Sequence, residues 1–136
     1  MANVTKESVV SNGKTQTKTL EITWYDADIL RINIVEGAEF DLSDSIDNLN
    51  ILNIVTEGRK HLQLVDARTF WSSSKESREF CTSEEIRKNI TGRAIIVDSL
   101  SGRLMAHFFI KVSHSHSNTK IFNSEAKAVS WLKNLK

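Results

Sequence analysis

Three consecutive serines, Ser72, Ser73 and Ser74, follow an apolar run that closes on Asp66. Hydroxyls in that setting can serve as a nucleophile, as a phosphate acceptor or as a helix cap. A nucleophile needs a base within reach. The sequence offers His61 at the start of the apolar run and His107 in a mostly apolar stretch, and it has no Gly-x-Ser-x-Gly elbow. The spacing from Ser73 to Glu76 instead reads as Ser-x-x-Glu, a capping box. These serines are therefore first of all a helix start. The dipole there would also favour a phosphate, so Ser72, Ser73, Ser74 and Asp66 form the candidate phosphorylation or partner-contact site.

Metal chemistry has a thinner basis. His114 and His116 in HSHSN could supply two ligands, whereas a zinc site needs three or four. Cys-x-x-Cys, His-Glu-x-x-His and a glycine-rich phosphate loop are all missing from the sequence. No metal, cofactor or catalytic residue is expected. The single cysteine, Cys81, cannot form an internal disulfide. The N-terminus lacks the apolar run of a signal peptide, which points to a cytoplasmic protein.

A net charge of +1 with scattered basic residues argues against a nucleic-acid surface. No stretch approaches the roughly twenty apolar residues that membrane insertion requires. Acids gather in the N-terminal half, from Asp26 to Asp47, and lysines from Lys111 to Lys136. That asymmetry could orient a partner.

These residues must be positioned by a single domain, since the chain has 136 residues and is 40% hydrophobic. Residues 1–16 read as a flexible lead-in and 17–136 as the domain. Leu20, Ile22 and Trp24 alternate with polar neighbours, as do Leu30, Ile32 and Ile34, so a hairpin opens the fold. A helix follows, capped by Ser43, with Ile46, Leu49, Leu52 and Val55 at helical spacing and Gly58 at its end. HLQLVDAR and GRAIIVDS read as strands covered on both faces. Between them lie the serine-capped helix through Thr82 and a short helix capped by Ser83. Ser99 would cap a helix carrying Leu100 and Leu104. TKIF is a short strand, and Asn123 would cap a last helix that turns Ala126, Val129 and Leu132 inward. Strands alternating with helices imply an α/β fold with a mostly parallel sheet and helices mainly on one side.

Within the Leu100 helix, Met105, Phe108, Phe109 and Val112 spread round more than one side. An apolar surplus of that kind suits a homodimer contact or, with Trp131, an apolar cleft.

The order of elements carries a resemblance. LQLVDARTFWSSSKESREF, RAIIVDSLSGRLMAHFFIKV and TKIFNSEAKAVSWLKNLK, with the hairpin LEITWYDADILRINIVEG, together resemble the STAS-like superfamily, the fold of bacterial anti-sigma-factor antagonists. The nearest likeness is to small bacterial STAS-like domains of unknown function. The antagonists carry a phosphorylatable serine at the matching helix start, in a stretch reading approximately Asp-Ser-Ser-Gly. Here it reads Trp71-Ser72-Ser73-Ser74-Lys75, without the aspartate or the glycine. The resemblance implies a non-enzymatic regulatory domain that contacts a second copy of itself or a regulatory protein. The fold also resembles a lipid-binding type, so a small apolar ligand is the alternative. A serine-dependent hydrolase is a more distant one.

Overall fold

The computed structural model describes residues 10, 11, 13–81, 83–112 and 118–135, with backbone alone at 10, 11, 87 and 108–112. Nine strands and five helices are found among them. These are β1 (Val10–Ser11), β2 (Lys14–Gln16), β3 (Leu20–Trp24), β4 (Ile29–Ile34), β5 (Ala38–Phe40), α1 (Leu42–Thr56), β6 (His61–Asp66), β7 (Trp71–Ser73), α2 (Lys75–Cys81), α3 (Glu84–Arg87), β8 (Ile90–Ile96), α4 (Leu100–Val112), β9 (Thr119–Phe122) and α5 (Glu125–Lys133).

The main sheet has the order β1-β2-β3-β4-β6-β8-β9. Its first four strands pair antiparallel, and β4, β6, β8 and β9 run parallel. Residues 14–16 fall in the segment the sequence assigns to the lead-in, yet they pair with β3. Residues 1–9 lie outside the described residues. A second sheet joins β5 and β7 in parallel.

Register sorts the side chains onto two faces, because alternate residues of a strand point to opposite sides. Leu30, Gln63, Arg93 and Thr119 form one rung, and Ile32, Val65, Ile95 and Ile121 the next on the same face. This face meets α1, and Ala106 of α4 packs into the same cluster. The opposite face presents Ile29, Leu62, Leu64, Ala94 and Ile96 to Ala128, Val129 and Leu132 of α5. With apolar groups on both faces, β6 and β8 are the covered strands their sequences predict.

Several local expectations change. Asp41, not Ser43, caps α1: its carboxylate accepts from Asp44 N at 2.9 Å, and Asp44 returns the bond to Asp41 N at 3.1 Å. The helix ends with Glu57 and Gly58 at positive φ, the left-handed exit that stops a helix. Its inward face begins with Asp44, Ser45 and Asn48 and leaves Ile46 exposed. Those polar groups are buried because each finds a partner. Asn48 donates to Thr19 Oγ1 at 2.9 Å, Ser45 pairs with Ser77 at 2.6 Å, and Lys18 meets Asp44 at 3.3 Å. Buried polar groups are tolerated on those terms.

Ser99 does cap α4, accepting from Gly102 N at 3.0 Å. However, Leu100 and Leu104 are 74% and 62% exposed, and Ala106 makes the inward contact. Ser124, not Asn123, caps α5, and Ala128 takes the inward place expected of Ala126.

Candidate functional site

Between the Gln63–Val65 face of the sheet and helices α1, α2 and α3 lies a cavity of about 180 Å³. Its walls are mostly apolar, with Leu20, Ile32, Leu52, Val65, Ile95 and Trp71 prominent. Trp71 is set edge-on to Phe40, ring centres 5.9 Å apart, where β7 and β5 meet.

One end of this cavity is polar. His61, Gln63 and Arg93 all line it. His61 and Gln63 alternate with leucines along β6, so strand periodicity places both on the cavity side. Arg93 is register partner of Gln63. The three form a directional chain. The ring Nδ1 of His61 is 3.0 Å from the Arg59 carbonyl, which can only accept, so the proton sits on Nδ1. His61 Nε2 therefore accepts from Gln63 Nε2 at 3.0 Å. That turns Gln63 Oε1 toward Arg93, whose Nε donates to it at 3.2 Å. His61 and Gln63 are only 7% and 3% exposed. Burial pushes the His61 ring below its ordinary value, opposed by its bond to the Arg59 carbonyl and reinforced by the Arg93 and Arg59 charges. Loss of hydration lowers Arg93 as well.

This chain does not resemble a catalytic relay. Both ring nitrogens of His61 are engaged. Among the described residues no serine or cysteine is hydrogen-bonded to a histidine. Ser45 and Ser77 bond each other, and Cys81 donates to Ser45 at 3.9 Å and stands near the Arg93 charge. No group of three or more His, Cys, Asp or Glu among the described residues could hold a metal. His114 and His116 lie outside those residues.

The serine cluster divides among three roles. Ser72 is an exposed residue of β7. Ser73 lines the cavity, and its buried Oγ has no hydrogen-bond partner. Ser74 caps α2, accepting from Ser77 N at 3.1 Å. The cap is thus one residue later than the Ser73–Glu76 spacing suggests. Asp66 belongs to the other face of the sheet. Its carboxylate takes Arg68 through both oxygens, at 2.9 and 2.7 Å, and Arg31 at 3.2 Å. Arg31 also reaches Glu125 of α5 at 2.9 Å. Bonding to Arg68 holds Asp66 below the usual carboxylate range.

Trp131 packs on Phe122, ring centres 5.6 Å apart, on the α5 side of the sheet, opposite the cavity. Met105 is half-buried. The side chains of Phe108, Phe109 and Val112 lie outside the described residues. Sequence reading passes over Gln63 and Arg93. The available signal is a polar residue at every second position of an otherwise apolar strand, as in His61-Leu62-Gln63-Leu64.

Antiparallel lead strands, a parallel β4-β6-β8-β9 core and helices on its faces define a SpoIIAA-like, that is STAS-like, α/β domain. The fold is matched by the crystal structure of an uncharacterized protein of the DUF3478 family with a SpoIIAA-like fold from Shewanella loihica PV-4. It shares 16% identity with a TM-score of 0.63, over 91% of this chain and 98% of that one. By sequence the chain belongs to a domain family of unknown function, DUF7793, whose model matches residues 23–136. No curated protein matches it. No helix among the described residues is long and apolar enough to cross a membrane.

Proposed function

We propose that this chain is a non-enzymatic regulatory domain that holds a small apolar ligand between its sheet and α1. The observation that carries the reading is the cavity of about 180 Å³ with largely apolar walls. A dry apolar cavity of about 150 Å³ is enough to take up benzene. The space opens to solvent past exposed Asn53 and Glu85, so its largely apolar walls face water until something covers them. Leaving it open forgoes packing, and a ligand would restore it. Binding would then stabilise the folded domain and tighten α1 and α2 against the sheet. The test is a native mass spectrum of protein purified from its own host. A small mass that stays with the folded chain and leaves on denaturation is expected. Bare protein, with no uptake of added toluene, would count against ligand binding.

A second reading concerns protein contact, and exposed apolar groups favour it. Leu100 and Leu104 of α4 are largely exposed, and Phe70, in the β6–β7 loop, is 76% exposed. Contact with a second copy or with a regulatory protein would cover them. Sedimentation of the wild type against Leu100→Glu and Leu104→Glu tests the homodimer. A dimer that these changes dissociate is expected, and a monomer at high concentration excludes it.

A further inference from the structure

The polar end of the cavity carries information about the ligand. Arg93 sits on the cavity floor with its Nε bonded to a neutral amide oxygen. Among the described residues, no carboxylate lies within ion-pair distance of it. Among the described residues the one acid lining the cavity, Glu85, is exposed and lies 3.7 Å from Lys88. A guanidinium stays charged in proteins, and a charge at the edge of an apolar space with only the Cys81 thiol near it, and no carboxylate, is costly. The arrangement around it is nonetheless ordered. Arg59, His61 and Gln63 hold one another in a fixed direction that ends on Arg93. Gln63 is itself 3% exposed, so the guanidinium is aimed by a buried, rigid support. The guanidinium fork matches a carboxylate in shape and charge.

Resting on the apolar-ligand reading, we infer that the ligand of this cavity is a small monocarboxylic acid. Its apolar body lies along Val65, Ile95 and Leu52, and its carboxylate is received by Arg93. Volume limits the body to about one aromatic ring or an aliphatic chain of similar bulk, since about 150 Å³ already suits benzene and the cavity offers about 180 Å³. Among the described residues, Arg93 is the one cation lining the cavity. A single cation without further cationic groups suits one negative charge better than a phosphate dianion.

The test is calorimetric titration near pH 7.5 with phenylacetate, with phenylacetamide of nearly the same shape but no charge, and with toluene. The probes are applied to the intact wild-type chain, Arg93→Gln and Arg93→Lys. In the wild type, phenylacetate is expected to bind about tenfold or more tightly than phenylacetamide, the scale of a charge-assisted hydrogen-bonded pair. Arg93→Gln should abolish that preference while leaving toluene binding nearly unchanged. Arg93→Lys should keep part of it. Equal wild-type binding of acid and amide, with toluene still bound, would overturn the carboxylate inference and leave the apolar cavity standing. Failure of all three probes to bind would overturn the cavity reading itself. The wild-type comparison decides the matter even if a variant does not fold.

Discussion

Arg93 and Gln63 stand opposite each other in the β6–β8 ladder, and the Arg93 Nε donates to the Gln63 Oε1 at 3.2 Å. The bond is half of a bridge, because the other end of the same amide donates to His61. Removing Gln63 therefore unpairs two groups at once. Gln63→Leu should lower stability by about 1–3 kcal/mol, the usual cost of stranding buried polar groups, as read by urea unfolding. Gln63→Glu should supply Arg93 with its own carboxylate and weaken any bound acid. An unchanged midpoint for Gln63→Leu would show that the bridge contributes nothing.

His61 gives this end of the cavity a pH dependence. Its folded-state pKa lies below the ordinary histidine value of 6.5, chiefly through burial. The unfolded chain thus takes up the proton first as pH falls. Stability from this group is complete above pH 6.5 and is lost as pH drops toward the folded-state pKa. Thermal midpoints measured from pH 8 to 5 should fall, and His61→Gln should flatten that slope. An equal slope in both proteins would remove His61 as the cause.

The three serines should separate cleanly by single alanine substitutions. Ser74→Ala removes the α2 cap and should cost about 1 kcal/mol. Ser72→Ala, at an exposed position, should stay within about 0.5 kcal/mol. Ser73→Ala deletes a buried hydroxyl without a partner and should be neutral or slightly stabilising. Chemical denaturation of the three variants reads all of these. A larger loss at Ser73 than at Ser74 would contradict the assignment of the cap.

What could be read from the sequence follows from which signals are local. The hairpin, the covered strands β6 and β8 and the position of α4 announce themselves through period-two and helical patterns. The β5–β7 sheet does not. Ala38–Phe40 and Trp71–Ser73 are three residues each, too short for a period, and they pair only because the fold brings them together. The inward face of α1 was hidden for a related reason. Ser45 and Asn48 look solvent-facing until Ser77 and Thr19, 32 and 29 residues away, are seen to satisfy them. Gln63 and Arg93 are passed over in strands that read as apolar throughout, and their bond depends on β6–β8 register, which no local pattern contains. The serine cluster was legible as a helix start to within one residue.

Asp66 ties the other face of the sheet together. It bonds Arg68 and Arg31, and Arg31 continues to Glu125 on α5. Its folded-state pKa is lowered, so its contribution is present above the ordinary aspartate value of 3.8 and is lost as pH falls through the folded-state value. Asp66→Asn should destabilise by about 1–3 kcal/mol at neutral pH, with the gap from wild type closing in strong acid. Glu125→Gln, at a more exposed pair, should cost under about 1 kcal/mol. Equal stability of Asp66→Asn and wild type at pH 7 would mean the network is only a surface feature.

The most direct test of ligand binding is a titration of the folded protein with benzene, followed through the methyl resonances of isoleucine, leucine and valine. The expected result is saturable shifts confined to cavity-lining methyls such as Ile32, Leu52, Val65 and Ile95, while Leu62, Leu64 and Val129 on the α5 side stay still. No saturable shift, or shifts spread evenly over both faces of the sheet, would contradict a preformed site between the sheet and α1.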